Sequence, residues 1–305
     1  STKDGEEIAV WKIFESSDFD SSESSHTANS FTVKRQNILL THGTFSDKKT
    51  CLRIAEYLAK LGHHCYIMEW RGHGHSPIPT DKFNFETIAT YDFDATLHYL
   101  FEELKLDNLH CVTHSGGGAC LTMHLIQKLI TQNRNDSTKL NSITMFACQT
   151  YGAVVSRKNY VKILTTKLFN RLLGYIPAKT LKLGSVNESY HTMNQWYDWN
   201  LKKNFKSMLT NLDTHHNGRL DYRQHMHNIV TPIYSISAKG DNLISPTAGC
   251  RLFFDDFNNP ANVFREFSKN HGHLEDYTHS RIMTSRNAAK EVWPTVAAWI
   301  EKHAN

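Results

Sequence analysis

The sequence of 305 residues contains no run of 18 or more apolar residues, and its first segment, STKDGEEIAVWKIF, has neither a basic head nor an apolar stretch. The expectation is a chain without a transmembrane segment, in the cytoplasm. Its six cysteines, Cys51, Cys65, Cys111, Cys120, Cys148 and Cys250, form no CxxC pair and no dense framework, so free, buried thiols are expected instead of disulfides. Nineteen histidines are present, yet HExxH and Cys/His finger spacings are missing, and no metal is expected. Gly72-His73-Gly74 lacks the GxxxxGK[ST] pattern of a phosphate loop, and no cofactor is expected. The formal charge is only +4, with Lys and Arg scattered among acidic residues, which excludes a nucleic-acid footprint.

What is present is the composition of an ordinary globular protein, 40% apolar and 21% charged. Residues 16–30, rich in Ser and Asp, suit a solvated loop between two N-terminal strands. From Gln36 the chain alternates apolar runs with helical stretches: NILLTHG, then TCLRIAEYLAKLG, then CYIMEW. The alternation continues through TIATYDFDATLHYLFEELK, LHCVTHS, ACLTMHLIQKLITQN and SITMFACQ, and a last strand reads TPIYSISA. Buried apolar runs separated by helices predict an α/β fold, a mostly parallel central sheet with helices on both faces, with ligands at the carboxyl ends of its strands. Between the strands near Phe146 and Ile233 about 80 residues break the pattern, too long for an unstructured connection. The expected organisation is therefore a core of residues 1–150 and 231–305 with an inserted helical cap at 151–230.

The strongest local signal is Thr113-His114-Ser115-Gly116-Gly117, between a predicted strand and a predicted helix. A nucleophile on such a tight turn requires small residues two positions to either side, because the strained backbone brings neighbouring chain close. Gly117 meets that requirement, and Thr113 is slightly bulkier than the usual Gly. The helix that begins after Ser115 aims free amides and the positive end of its dipole at a developing oxyanion.

THSGG in this setting, LLTHGT ending an earlier strand and WRGHGHS after the next one together resemble the α/β-hydrolase fold, in its Ser-nucleophile lipase and esterase branches. The resemblance implies an oxyanion hole from the backbone amides of Thr44 and Gly116, with His42 buttressing the loop. It also implies the chain order Ser, acid, His. Asp241, in the Gly turn KGDN after TPIYSISA, meets the position for the acid, whereas Asp213 and Asp221 precede that strand. For the base, NHGHLEDYTHS offers His271, His273 and His279, and His273 follows a Gly at a suitable distance from Asp241. DYTHSRIMTSRNAAKEVWPTVAAWI is similar to the C-terminal segment of acid-lipase-like hydrolases, and Tyr277, His279, Ala288 and Glu291-Val292 occupy its characteristic places. That similarity favours His279, although Thr278, Ser280 and Arg281 replace its usual Gly, Leu and Asp.

The expected function is that of a serine hydrolase cleaving a carboxylic ester-like bond of a small, apolar acyl substrate through Ser115, Asp241 and His279. Thioesterase and acyltransferase chemistry on the same triad, and a non-catalytic small-molecule-binding protein on this fold, stand as alternatives. Trp196, Tyr197, Trp199, Met193 and Met208 are candidates either to line an acyl pocket or to pack the cap onto the core.

Overall fold

Ile38 and Leu40 project to one side of strand β2 (Asn37–Thr41) and Leu39 to the other, and all three are buried. In β3 (His64–Met68), Cys65 and Ile67 join the first side and Tyr66 and Met68 the second. Side chains alternate along a strand, so this pattern requires cover on both faces. The computed structural model, which describes residues 1–15, 34–208 and 219–304, supplies it. Residues 16–30, read above as a loop, lie outside the described residues.

Among the described residues, seven strands form one sheet in the order β1-β3-β2-β4-β5-β8-β9. The further members are β1 (Val10–Ile13), β4 (Leu109–His114), β5 (Leu140–Phe146), β8 (Ile233–Ala238) and β9 (Val263–Phe267). Only β1, at one edge, runs antiparallel to its neighbour. On one face lie α1 (Lys49–Lys60), which buries Cys51, Ile54, Ala55 and Leu58 at helical spacing, and the C-terminal helices. The other face is covered by α2 (Gly116–Gln132) and a composite helix over residues 85–103. That helix is interrupted by π turns at Ile88–Asp92 and Tyr99–Glu103, where the sequence pattern predicts one regular helix. The first π turn ends on buried Asp92, whose carboxylate accepts the backbone N–H and Nε of Arg71 at 3.0 and 2.7 Å and so anchors the loop after β3.

Between β5 and β8 the chain leaves the sheet. It forms α3 (Arg157–Leu173), a two-stranded ribbon of β6 (Tyr175–Ile176) and β7 (Glu188–Ser189), and α4 (Tyr190–Lys202). All six cysteines are free and buried. Among the described residues no helix is long and apolar enough to cross a membrane.

The departure after β5 comes back against the start of α5 (Thr247–Phe254), where Gly152 and Gly249 face each other. A Cβ on Gly249 would lie 2.4 Å from the Gly152 carbonyl oxygen, so neither position has room for one. Gly249→Ala is expected to destabilise the fold by about 1–3 kcal/mol through forced backbone separation. Thermal denaturation checks this, and an unchanged Tm would show that the contact yields freely.

Candidate active site

β4 runs straight into α2, and Ser115 occupies the turn between them with φ 53° and ψ −123°. A non-glycine residue held there costs about 1–3 kcal/mol, and persists only where its surroundings enforce it. The Ser115 amide donates to the Phe146 carbonyl of β5 at 2.8 Å. The chain around it is crowded: a Cβ on Gly117 would lie 2.6 Å from the His42 carbonyl oxygen, and one on Gly43 2.7 Å from Ser115 Cβ. Thr113 is accommodated because residue 118 is also glycine. A Cβ there would meet the Thr113 hydroxyl at 3.0 Å and Cys148 Sγ at 2.6 Å.

His279 arrives from the loop before the C-terminal helices and stands between the other two candidates. Its Nδ1 is 2.6 Å from Asp241 Oδ2 and its Nε2 is 2.9 Å from Ser115 Oγ. An ionised carboxylate only accepts, so Nδ1–H donates to Asp241 and the Nε2 lone pair faces the serine hydroxyl. Burial pushes the Asp241 carboxyl up, but the charge and hydrogen bond of His279 and the amides of Ser245 and Ile244 outweigh it and hold it below its ordinary range. His273 is elsewhere: its ring packs on Phe267 with centroids 4.4 Å apart, and its Nδ1 meets the Ser268 carbonyl. His271 Nδ1 turns to Ser268 Oγ at 3.2 Å. Asp221 caps a short helical turn through the Arg223 amide, and Asp213 lies outside the described residues.

Ser115, Gly116 and Thr44 border a cavity of about 360 Å³. Gly116 is the first residue of α2, so its N–H has no carbonyl one turn back in its own helix. The remaining wall is mostly apolar, with Phe45, Ile163, Ile176, Met193, Trp196 and Leu243 beside Lys162 and Thr166. Of the residues undecided from sequence, Met193, Trp196 and Tyr197 line the cavity. Trp199 is buried against Phe85 and Phe205, and Met208 is half-exposed away from it.

Three residues that sequence reasoning did not assign hold this arrangement. His114 donates from Nε2 to the carbonyl oxygen of His279 at 2.9 Å, and burial pushes its pKa down to about 3, so the ring is neutral. Glu188, wholly buried in β7, reaches into the core: Oε1 accepts the Phe45 amide at 3.0 Å and His73 Nε2 at 2.8 Å. The Phe45 carbonyl accepts the Val186 amide, so both backbone polar groups of the residue after Thr44 are held by residues 186–188. His73 Nδ1 faces the Arg71 carbonyl, hence both ring nitrogens donate and the ring is an imidazolium. Burial opposes that charge, and the Glu188 carboxylate overrides it and raises the His73 pKa. His42, 5.2 Å away ring to ring, is the neutral neighbour: burial holds its pKa well below the ordinary value, and its Nε2 accepts the Trp70 amide. The one sequence signal for Glu188 is its isolation, since no other Asp or Glu occurs between Asp136 and Asp198.

Glu188→Gln leaves a buried imidazolium without its counter-charge and is expected to cost about 3 kcal/mol at acidic pH. A raised pKa in the folded state contributes stability that is complete below the unfolded value of about 6.5 and is lost as pH rises through the folded value. The gap in Tm between wild type and variant should therefore narrow with rising pH. A gap constant from about pH 5 to pH 9 would contradict a charged pair.

Comparisons with known proteins bear on the fold that carries this geometry. The family model described as the alpha/beta hydrolase fold matches residues 36–144. Sequence comparison with curated proteins found no match. Among solved structures, a monoacylglycerol lipase of Paleococcus ferrophilus superposes with a TM-score of 0.61 at 14% identity, covering 98% of this chain and 100% of that one. An esterase from Exiguobacterium antarcticum gives 0.63 at 13% identity, covering 98% and 97%. Mouse alpha/beta hydrolase domain-containing protein 10 gives 0.57 at 13% identity, covering 97% and 94%. At such identities the likeness is one of fold, and together with the family match over residues 36–144 and the sheet order it shows that the chain has the α/β-hydrolase fold.

Proposed function

We propose that the chain is a serine hydrolase that cleaves carboxylic ester-like acyl bonds by way of an acyl-enzyme on Ser115. The observation that carries this reading is the relay from Asp241 through His279 to Ser115 Oγ, opening on an apolar cavity. As the Ser115 oxygen attacks the acyl carbon, His279 Nε2 takes its proton, and Asp241 stabilises the imidazolium that forms. The carbonyl oxygen becomes an oxyanion, for which the Thr44 and Gly116 amides are the proposed donors. Collapse expels the alcohol, which receives the proton from His279. Water then attacks the acyl-enzyme with His279 as base, releasing the acid and restoring Ser115.

The wall of Phe45, Met193, Trp196 and Leu243 favours an apolar acyl group. We assign residues 151–230 as a cap over a core of residues 1–150 and 231–305. Ile163, Ile176, Met193 and Trp196 of that segment meet Ser115 of the core across one cavity, which supports this division. In it Glu188 and His73 are positioning residues that hold the loop bearing Thr44.

The test is hydrolysis of p-nitrophenyl esters from short to long acyl chain, with acyl thioesters alongside. Ser115→Ala and His279→Ala are expected to lower kcat/KM by about 10⁴-fold or more, the loss typical when a member of such a unit is removed. His273→Ala should leave it unchanged. A folded wild type inactive on every substrate and unlabelled by a fluorophosphonate probe would overturn the proposal in favour of a binding protein.

A further inference from the structure

Surface helices normally turn their apolar residues to the core. α3 does the reverse. Its buried side consists of Asn159, Ile163 and Asn170. At about 3.6 residues per turn the opposite side carries Val161, Leu168 and Leu172, which are 56%, 52% and 86% exposed. Tyr160, Phe169 and Tyr175 flank them, all substantially exposed, and the half-exposed Leu181 and Leu183 carry apolar surface to the cavity that contains Ser115. Lys162 and Thr166 of α3 line that same cavity, so the outward face and the candidate site share one element.

The charge on this face is of one sign, a local block that the scatter expected from the whole-chain count conceals. No Asp or Glu occurs from residue 137 to residue 187, a stretch that holds eight Lys and Arg. Eight exceeds the +4 of the entire chain, so the remainder is net acidic. Lys167 pairs with Asp198 of α4. Among the described residues Arg157, Lys158, Lys162, Arg171, Lys179 and Lys182 are in no ion pair.

We propose that this face, α3 with residues 175–183, docks on an anionic lipid bilayer. Exposed aliphatic side chains ringed by cations on long apolar stems match the boundary between acyl chains and anionic headgroups, with Tyr160 and Tyr175 presenting an apolar ring and a polar tip to it. A second copy of the chain is disfavoured as the occupant, because it would oppose one block of cations to another. Docking in this orientation turns Leu181, Leu183 and the cavity toward the bilayer. That the docked protein draws an ester from the lipid layer rests on the hydrolase reading; docking itself does not.

The test is co-sedimentation of the full chain with vesicles of phosphatidylcholine alone and of phosphatidylcholine with phosphatidylglycerol, at low salt and at about 0.5 M salt. The wild type should sediment with the anionic vesicles, and weakly with the zwitterionic ones or at high salt. Lys158→Gln with Arg171→Gln should weaken partitioning about 30-fold, from roughly fivefold per cation. Leu168→Asp with Leu172→Asp should abolish it. Both double variants should keep the wild-type Tm and turnover of a soluble short-chain ester, since none of these residues lines the cavity. No sedimentation with anionic vesicles, binding indifferent to both double variants, or a concentration-dependent dimer dispersed by Leu172→Asp would overturn the proposal. Fluorophosphonate labelling without vesicle binding refutes docking alone, and vesicle binding without labelling refutes the hydrolase reading alone.

Discussion

The backbone of Ser115 is the constraint on which the rest of the molecule depends. A side chain at φ 53° and ψ −123° is tolerated only if the chain around it is clamped, and the clamp is assembled from three strands and a helix. β4 delivers the residue, and β5 receives its amide through Phe146. The end of β2 crowds it through His42 and Gly43, and α2 carries the chain away. Each close approach excludes a Cβ, which is why glycine recurs at 43, 117 and 118. The same turn lifts Oγ to the carboxyl end of the parallel sheet, where the loops after β8 and β9 bring Asp241 and His279 within hydrogen-bonding distance.

A second constraint is electrostatic. Three histidines crowd the site in addition to His279, and like charges among buried rings would be prohibitive. The structure resolves this by giving a second ring proton to one alone: His73 is charged against Glu188, while His42 and His114 are driven neutral by burial and by their charged or neighbouring rings. Glu188 belongs to the segment between β5 and β8, so the buried pair ties that segment to the loops that carry His42, Thr44 and Phe45. Ser185 Oγ adds a bond to Asp47 at 2.9 Å. The geometry at Thr44 therefore depends on residues some 140 positions away in the chain.

The segment that supplies Glu188 is two-sided. Inward it presents Ile163, Ile176, Met193 and Trp196 to the cavity, and outward it presents aliphatic side chains among cations. Its inner stripe, with two asparagines among three buried residues, is a poor hydrophobic anchor. Asn159 compensates by donating to the carbonyls of Ala153 and Asn242, and Asn170 by donating to the Tyr197 hydroxyl. Polar bonds of fixed direction hold α3 where apolar burial is thin.

The sequence by itself determined the α/β architecture, because apolar runs buried on both faces and separated by helices have few other solutions, and it marked Ser115 through small residues whose spacing answers to local backbone strain. The turn bearing Asp241 was legible for the same reason: strand, Gly turn and carboxylate are contiguous in NILLTHG-like runs such as TPIYSISAKGD. Between His273 and His279, local pattern was ambiguous, since both follow plausible turns in one short segment. Only the resemblance of the C-terminal segment favoured His279, and the tertiary structure sets the two apart physically, stacking the His273 ring on Phe267 and carrying His279 back across 164 residues to Ser115. Apart from the isolation of Glu188 among acidic residues, His114, His73 and Glu188 left no readable pattern, because their roles depend on partners distant in sequence, whose burial sets the charge of each. The outward apolar face of α3 was likewise hidden, since a helical period shows which residues share a face and not which face meets the core.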